Sequence, residues 1–119
     1  CNSDTDTSYG DAYAADEICS CAFDLDNGFI YWANEGVWQD SGDPTSGASG
    51  TGAAFTLATG YLYIPACDGF NADTMSFNFG AYSPFTIASG NADANGYGNF
   101  EYAVPSGYLA LCTKNLGGA

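Results

Sequence analysis

Alternation of apolar and polar positions breaks this chain into short extended segments joined by turns. Glu17 to Leu25 (EICSCAFDL) puts Cys19, Cys21, Phe23 and Leu25 on one side of a strand and Ile18, Ser20, Ala22 and Asp24 on the other. The first set is the inward face expected of such a strand. Asp26-Asn27-Gly28 then reads as a hairpin turn, because Asn and Gly accept the positive φ that a tight turn demands. Phe29 to Ala33 (FIYWA) returns as the partner strand, Asn34-Glu35-Gly36 turns again, and Val37-Trp38 completes a β-meander. Further strands are predicted at 53–57, 61–66 and 74–79, the last with Met75, Phe77 and Phe79 on one face. Two more, at 100–104 and 108–112, close the pattern. No window carries apolar residues at helical spacing for three turns, so the fold class is all-β.

The intervening segments are turn-rich. Residues 40–52 (DSGDPTSGASGTG) and 88–99 (ASGNADANGYGN) read as long exposed loops, the first either a recognition loop or a flexible spacer. Residues 1–16 read as an acidic arm or loop, 17–116 as the folded part, and 117–119 as a frayed tail. No basic or apolar leader opens the chain, so a mature product, or a fragment whose start lies upstream, is expected. At 119 residues the chain is one domain at most.

Charge changes the picture most. Fourteen carboxylates face one cation, Lys114, with no Arg and no His, for a formal charge of −13. Nucleic acids and anionic membranes are therefore not expected partners, because both are held largely by Lys and Arg. Without His the commonest general base is missing, along with every Ser-His-Asp and Cys-His arrangement. A carboxylate pair for sugar hydrolysis gains no support from acids this abundant. The expectation is a protein that is not an enzyme.

Five cysteines stand at 1, 19, 21, 67 and 112. Cys19 and Cys21 lie two apart on one strand face, which opposes a bridge between them. With no His to complete a zinc set, they read as small buried hydrophobes of a protein folded in a reducing compartment. All but Cys1 are expected to be buried.

One ionic ligand has a sequence signal, and no other cofactor does. Asn91-x-Asp93-x-Asn95-Gly96, with Asn99 at the ninth place, has the alternating oxygens and glycine of a calcium loop. Tyr102 occupies the twelfth place, where a bidentate acid belongs, and ordinary Asx turns are the alternative. Aromatics are plentiful at 16% of residues. Tyr and Trp join a flat apolar face to a polar tip, as sugar rings and protein hot spots require. Tyr97, inside a Gly/Asn loop, is expected to be exposed.

Three ordered stretches resemble a SPRY domain. Cys21–Trp32 (CAFDLDNGFIYW) with Asn34–Trp38 is similar to that family's hairpin, Tyr63-Ile64-Pro65-Ala66 to its "YxPA" strand, and Ser76–Gly80 with Pro84-Phe85 to its "NFG…PF" signature. Val104-Pro105-Ser106-Gly107-Tyr108 through Asn115-Leu116, and Gly42-Asp43-Pro44, look like SPRY-like domains of bacteriophage virion proteins. The likeness covers residues 9–116. Two departures stand out: the family's opening strands are absent, and Glu35 is inserted where the family has Asn-Gly directly, so a looser turn is expected there.

The resemblance implies a bent two-sheet antiparallel β-sandwich, here lacking its N-terminal strands, that binds protein or glycan through loops at one end. Applied to this chain, the loops are 40–52, 68–73 and 88–99, with Asp43, Asp68, Asn71 and Tyr97 as contact candidates. The function expected is that of a virion-surface protein, either a tail-fibre tip or a capsid decoration. Its partners would be other virion subunits, the preceding part of the same polypeptide, or a host protein or glycan. A secreted carbohydrate-binding module and a purely structural assembly protein are the alternatives. The missing strands also imply that Phe23, Leu25, Met75, Phe77 and Phe79 need cover from elsewhere.

Overall fold

The computed structural model describes residues 7–66, 74–80 and 83–117. The chain divides into two compact units, Cys1–Thr59 and Gly60–Ala119.

In the first unit, β1 (Cys19–Asp24), β2 (Phe29–Asn34), β3 (Val37–Trp38) and β4 (Phe55–Thr56) form one antiparallel sheet. β2 is central. β1 pairs with it along its whole length, while on its other edge β3 takes the end (Ala33↔Trp38, Asn34↔Val37) and β4 the start (Phe29↔Thr56, Ile30↔Phe55). Asp24 makes the β1–β2 turn: its Oδ1 accepts from the Asp26 and Asn27 amides, its Oδ2 from Asn27 Nδ2, and Gly28 takes the positive φ. The β2–β3 turn is tighter than the Glu insertion predicted. Glu35 and Gly36 both have positive φ (48° and 79°), as a two-residue type I′ turn requires, and the Glu35 carboxylate accepts from the Ile18 amide.

Pairing fixes which residues share a face. Ser20, Ala22, Phe29, Tyr31, Ala33 and Trp38 lie on one side; Cys19, Cys21, Phe23, Ile30, Trp32, Val37 and Phe55 lie on the other. The first side is the covered one, and Tyr31, Ala33 and Ala22 are buried there. The cover is the 40–52 segment, which is a packed cap and not an open loop. It folds as a tight turn at 39–41 and a 3-10 stretch at Pro44–Ser49, with Pro44 buried and Ser46 Oγ 3.4 Å from the Tyr31 hydroxyl. Glycine lets it lie close, since a Cβ at position 50 would fall 2.4 Å from the Phe29 ring. Tyr9 clasps the cap from outside, its hydroxyl 2.7 Å from the Gly52 carbonyl and 2.9 Å from that of Gln39.

The face assignment therefore corrects the sequence expectation. Cys19, Cys21, Phe23 and Leu25 do not point inward: Cys19 and Cys21 are exposed, Phe23 is 37% exposed, and Leu25 leaves the strand for the turn. Small residues decide it. Ser20, Ala22 and Ala33 leave room on their side for Tyr31 and the cap, whereas the bulkier opposite side leaves none. Cys112 is half-buried, and Cys1 and Cys67 lie outside the described residues.

The second unit has less regular structure. Among the described residues it holds an isolated antiparallel bridge, Asn91↔Phe100, and one helical turn, α1 (Thr113–Leu116). The strands expected at 61–66, 74–79, 100–104 and 108–112 are not formed in the described residues; β-prone sequence becomes strand only where a second segment completes the ladder. The Phe77 and Phe79 rings, both half-exposed, stack with their centroids 5.9 Å apart. Close packing here depends on glycine: a Cβ on Gly80 would lie 3.0 Å from both Ala110 and Phe100.

Candidate binding surfaces

Among the described residues, the outer side of the sheet is an apolar surface without a covering segment of its own unit. Cys21, Phe23 and Val37 are exposed, and Ile30, Trp32 and Phe55 are half-buried. Cys21 is exposed as a residue, yet burial of its thiol, helped by the neighbouring Cys19, pushes its pKa up to about 12. The thiolate, the reactive form, is therefore scarce at neutral pH. Carboxylates border this surface at both ends. Asp16, Glu17 and Glu35 stand at one end, where Glu17 accepts from Asn34 Nδ2 at 3.0 Å, and Asp26, in the β1–β2 turn, stands at the other, whereas Asp24 pairs with Phe29 on the covered side. The Asn34 Oδ1 at that first end is buried without a hydrogen-bond donor.

In the second unit the chemistry converges on Asp93, the one buried charged residue among those described. Its Oδ1 accepts from the Asn95 and Tyr97 amides, both at 2.9 Å, and its Oδ2 from the Ala110 amide (2.8 Å) and Asn115 Nδ2 (2.7 Å). Asn115 also donates to the Ala110 carbonyl and receives Asn95 Nδ2 on its Oδ1. One carboxylate thus fastens the 91–100 loop to the start of α1. Tyr97 is half-buried, not exposed as expected, and Lys114 Nζ lies 5.4 Å from its ring centroid. That contact joins the chain's single cation to an aromatic face.

The calcium-like spacing is used differently. Asn91, Asp93 and Asn95 do meet in one loop, but Asn91 donates to the Phe100 and Glu101 carbonyls and both Asp93 oxygens are occupied by N–H groups. Asn99 offers its backbone carbonyl to Asn78 Nδ2. The set does not fit a bound cation, and the loop is held as an Asx turn. Of the contact candidates, Asp43 caps the 3-10 stretch, its Oδ1 accepting the Thr45 amide (2.8 Å) and hydroxyl (2.6 Å). Asp68 and Asn71 lie outside the described residues. Asn115 was not singled out by the sequence as a site residue, and Lys114 stood out there only as the single cation. Glu101 accepts from the Ala88 amide and from the Ser89 amide and hydroxyl.

No family model, curated protein or solved structure matches the chain.

These carboxylates give the fold a defined acid limit. The Ala14 amide and the Asn34 side chain lower the pKa of Glu17, the Asn27 side chain and amide that of Asp24, the Thr45 hydroxyl and amide that of Asp43, and the Ala88 amide that of Glu101. For Asp93, burial pushes upward more than any one donor pulls down. The donors from Ala110, Tyr97, Asn115 and Asn95 together still leave it below its ordinary value. A carboxylate with a depressed folded pKa stabilises the fold above its unfolded pKa and ceases to as pH falls through the folded one. Thermal midpoints should therefore hold steady down to the ordinary values, 4.5 for the two glutamates and 3.8 for the three aspartates, and fall below them. A midpoint that rises steadily from pH 4.5 to pH 2.5 would contradict these hydrogen bonds.

Proposed function

We propose that this chain is a non-enzymatic assembly and recognition domain of the SPRY-like virion-surface kind, with its four-stranded sheet serving as one layer of a two-sheet sandwich. The observation that carries the reading is the sheet's two apolar sides, of which its own cap covers only one. β2 reads FIYWA, a continuous apolar run of the kind found in strands buried on both faces, and a second layer accounts for it. The absence of His, with a single Lys, supports binding over catalysis. Candidate contact loops are 68–73 and 88–99, whereas 40–52 is the sheet's own cover.

Immunogold labelling of purified phage particles tests the proposal. Label at fibre ends would support host recognition, and label following the capsid lattice would support decoration. Particles that never carry the chain overturn the reading. A carbohydrate-binding module is the second reading, favoured by the stacked, half-exposed Phe77 and Phe79 rings. Glycan binding that is lost in Phe77→Ala, from a protein absent from particles, would select it.

A further inference from the structure

We propose that the segment opening the second unit, residues 60–66, is a cleavage site for endoproteases with an apolar S1 pocket, the scissile bond following Tyr61 or Leu62. The inference goes beyond the assembly reading and does not depend on it. Such enzymes select an aromatic or leucyl side chain before the bond they cut, and they need that bond on backbone that can leave its own fold. Gly60-Tyr61-Leu62-Tyr63-Ile64 sets four large apolar side chains in a row. Residues 61–66 belong to no strand, helix or turn, and each of them is exposed. Tyr61 is 73% exposed, Ile64 77% and Leu62 91%, the highest of the large apolar residues described. Gly60 has a positive φ, and a Cβ there would meet nothing within 4 Å, so the backbone before the bond can straighten without displacing a neighbour. The chain passes from one compact unit to the other at Thr59 and Gly60, and the last strand of the four-stranded sheet ends at Thr56. A cut after Tyr61 or Leu62 therefore severs no strand of that sheet.

Other exposed side chains of the right type stand on backbone that is tied down. Leu25 is in the β1–β2 turn, where the Asp26 and Asn27 amides are bonded to Asp24 Oδ1 and that of Gly28 to the Asp24 carbonyl. Leu109 and Leu111 flank Ala110, whose amide Asp93 holds, and Leu116 lies in α1 with its amide on the Cys112 carbonyl. Phe77 and Phe79 flank Asn78, whose side chain donates to the Asn99 carbonyl and accepts from the Gly80 amide. Tyr13 precedes Ala14, whose amide is bonded to Glu17. Cutting at any of these requires local unfolding first. The chemistry at the favoured bond is plain hydrolysis. Water adds across the amide, its hydroxyl going to the carbonyl carbon of Tyr61 or Leu62 and its proton to the nitrogen of the next residue.

The test digests the full chain under native conditions with a small amount of chymotrypsin and follows intact masses over time. The first products expected are two pieces that meet after Tyr61 or Leu62, with masses summing to that of the chain plus one water. The double variant Tyr61→Asp, Leu62→Asp alters two exposed side chains outside any element. It should keep the circular dichroism spectrum and slow cleavage after positions 61 and 62 about tenfold or more, as loss of an apolar pocket contact does. A first cut anywhere else, with Tyr13, Phe77 and Phe79 as the nearest rivals, overturns the inference. So does a chain that stays intact until urea unfolds it, since the segment would then be covered. Undiminished cleavage after 61 and 62 in the double variant would show that no apolar pocket selects the site, and it overturns the inference as well.

Discussion

Asp93→Ala should lower the thermal midpoint by about ten degrees or more, the size of change that follows from stranding several buried donors in a small domain. Four N–H groups lose their acceptor at once, and one of them belongs to buried Ala110. Water cannot easily replace the carboxylate at Ala110, so that amide should also lose hydrogen-exchange protection before those of β1 and β2. Asp93→Asn is the sharper probe. It keeps the shape and one oxygen but turns an NH2 toward two of the four donors, so it should fall between wild type and alanine. Removing only the Asn115 arm, with Asn115→Ala, should have the smallest effect of the three. An Asp93→Ala protein that melts like wild type, with Ala110 still protected, would mean that the network contributes nothing.

Gly52→Ala is expected to destabilise the first unit by about 3 kcal/mol or more, the range of overpacking added to a strained backbone. The new Cβ would meet the Asp40 carbonyl oxygen and the Gly42 Cα and N, all at 2.6 Å. Every one of these is backbone, so no side chain can swing away. Moving position 52 would also pull its carbonyl from the Tyr9 hydroxyl and loosen the cap over Tyr31. Gly107→Ala supplies the comparison. Its φ is also positive, +86°, but a Cβ there meets nothing within 4 Å, so only the left-handed backbone penalty of about 1 kcal/mol applies. Urea unfolding of the two variants separates the terms. Equal losses would show that the cap gives way at little cost.

Much of the meander was legible because its signals are local. The alternation in 17–25, the Asp-Asn-Gly turn and the aromatic return strand led to β1 and β2 within two residues of their observed ends. Local pattern cannot say which side of a strand is covered. The Cys-x-Cys-x-Phe side is the more apolar, but the Ser20, Ala22 and Ala33 side has the room, and room decided. Composition likewise made 40–52 look like open loop, since Gly, Ser and Thr fill exposed loops and tight caps alike. What distinguishes this cap is Pro44 buried against the sheet and Gly50 lying against Phe29, both long-range contacts.

Asp93 was found by spacing, which left two uses for it open. Alternating Asn and Asp oxygens serve calcium loops and Asx turns equally well, and the choice lay with Ala110 and Asn115, 17 and 22 residues away. Segments 61–66 and 74–79 show the opposite failure. Their strand propensity was plain, but no ladder forms over them in the described residues, and propensity carries no information about a partner.

The position of Lys114 has a practical consequence for anyone handling this protein. Trypsin, which cuts after Lys and Arg, has one site in the whole sequence, and it lies within α1. Proteins identified from tryptic peptides alone would tend to miss it, whereas cleavage at Asp or Glu would cover it well. The same lysine is the only side-chain amine for acylating dyes and surface coupling. Acylation would modify no other side-chain amine, and it would remove the charge that rests above Tyr97. A label placed there reports on the 91–100 loop by disturbing it.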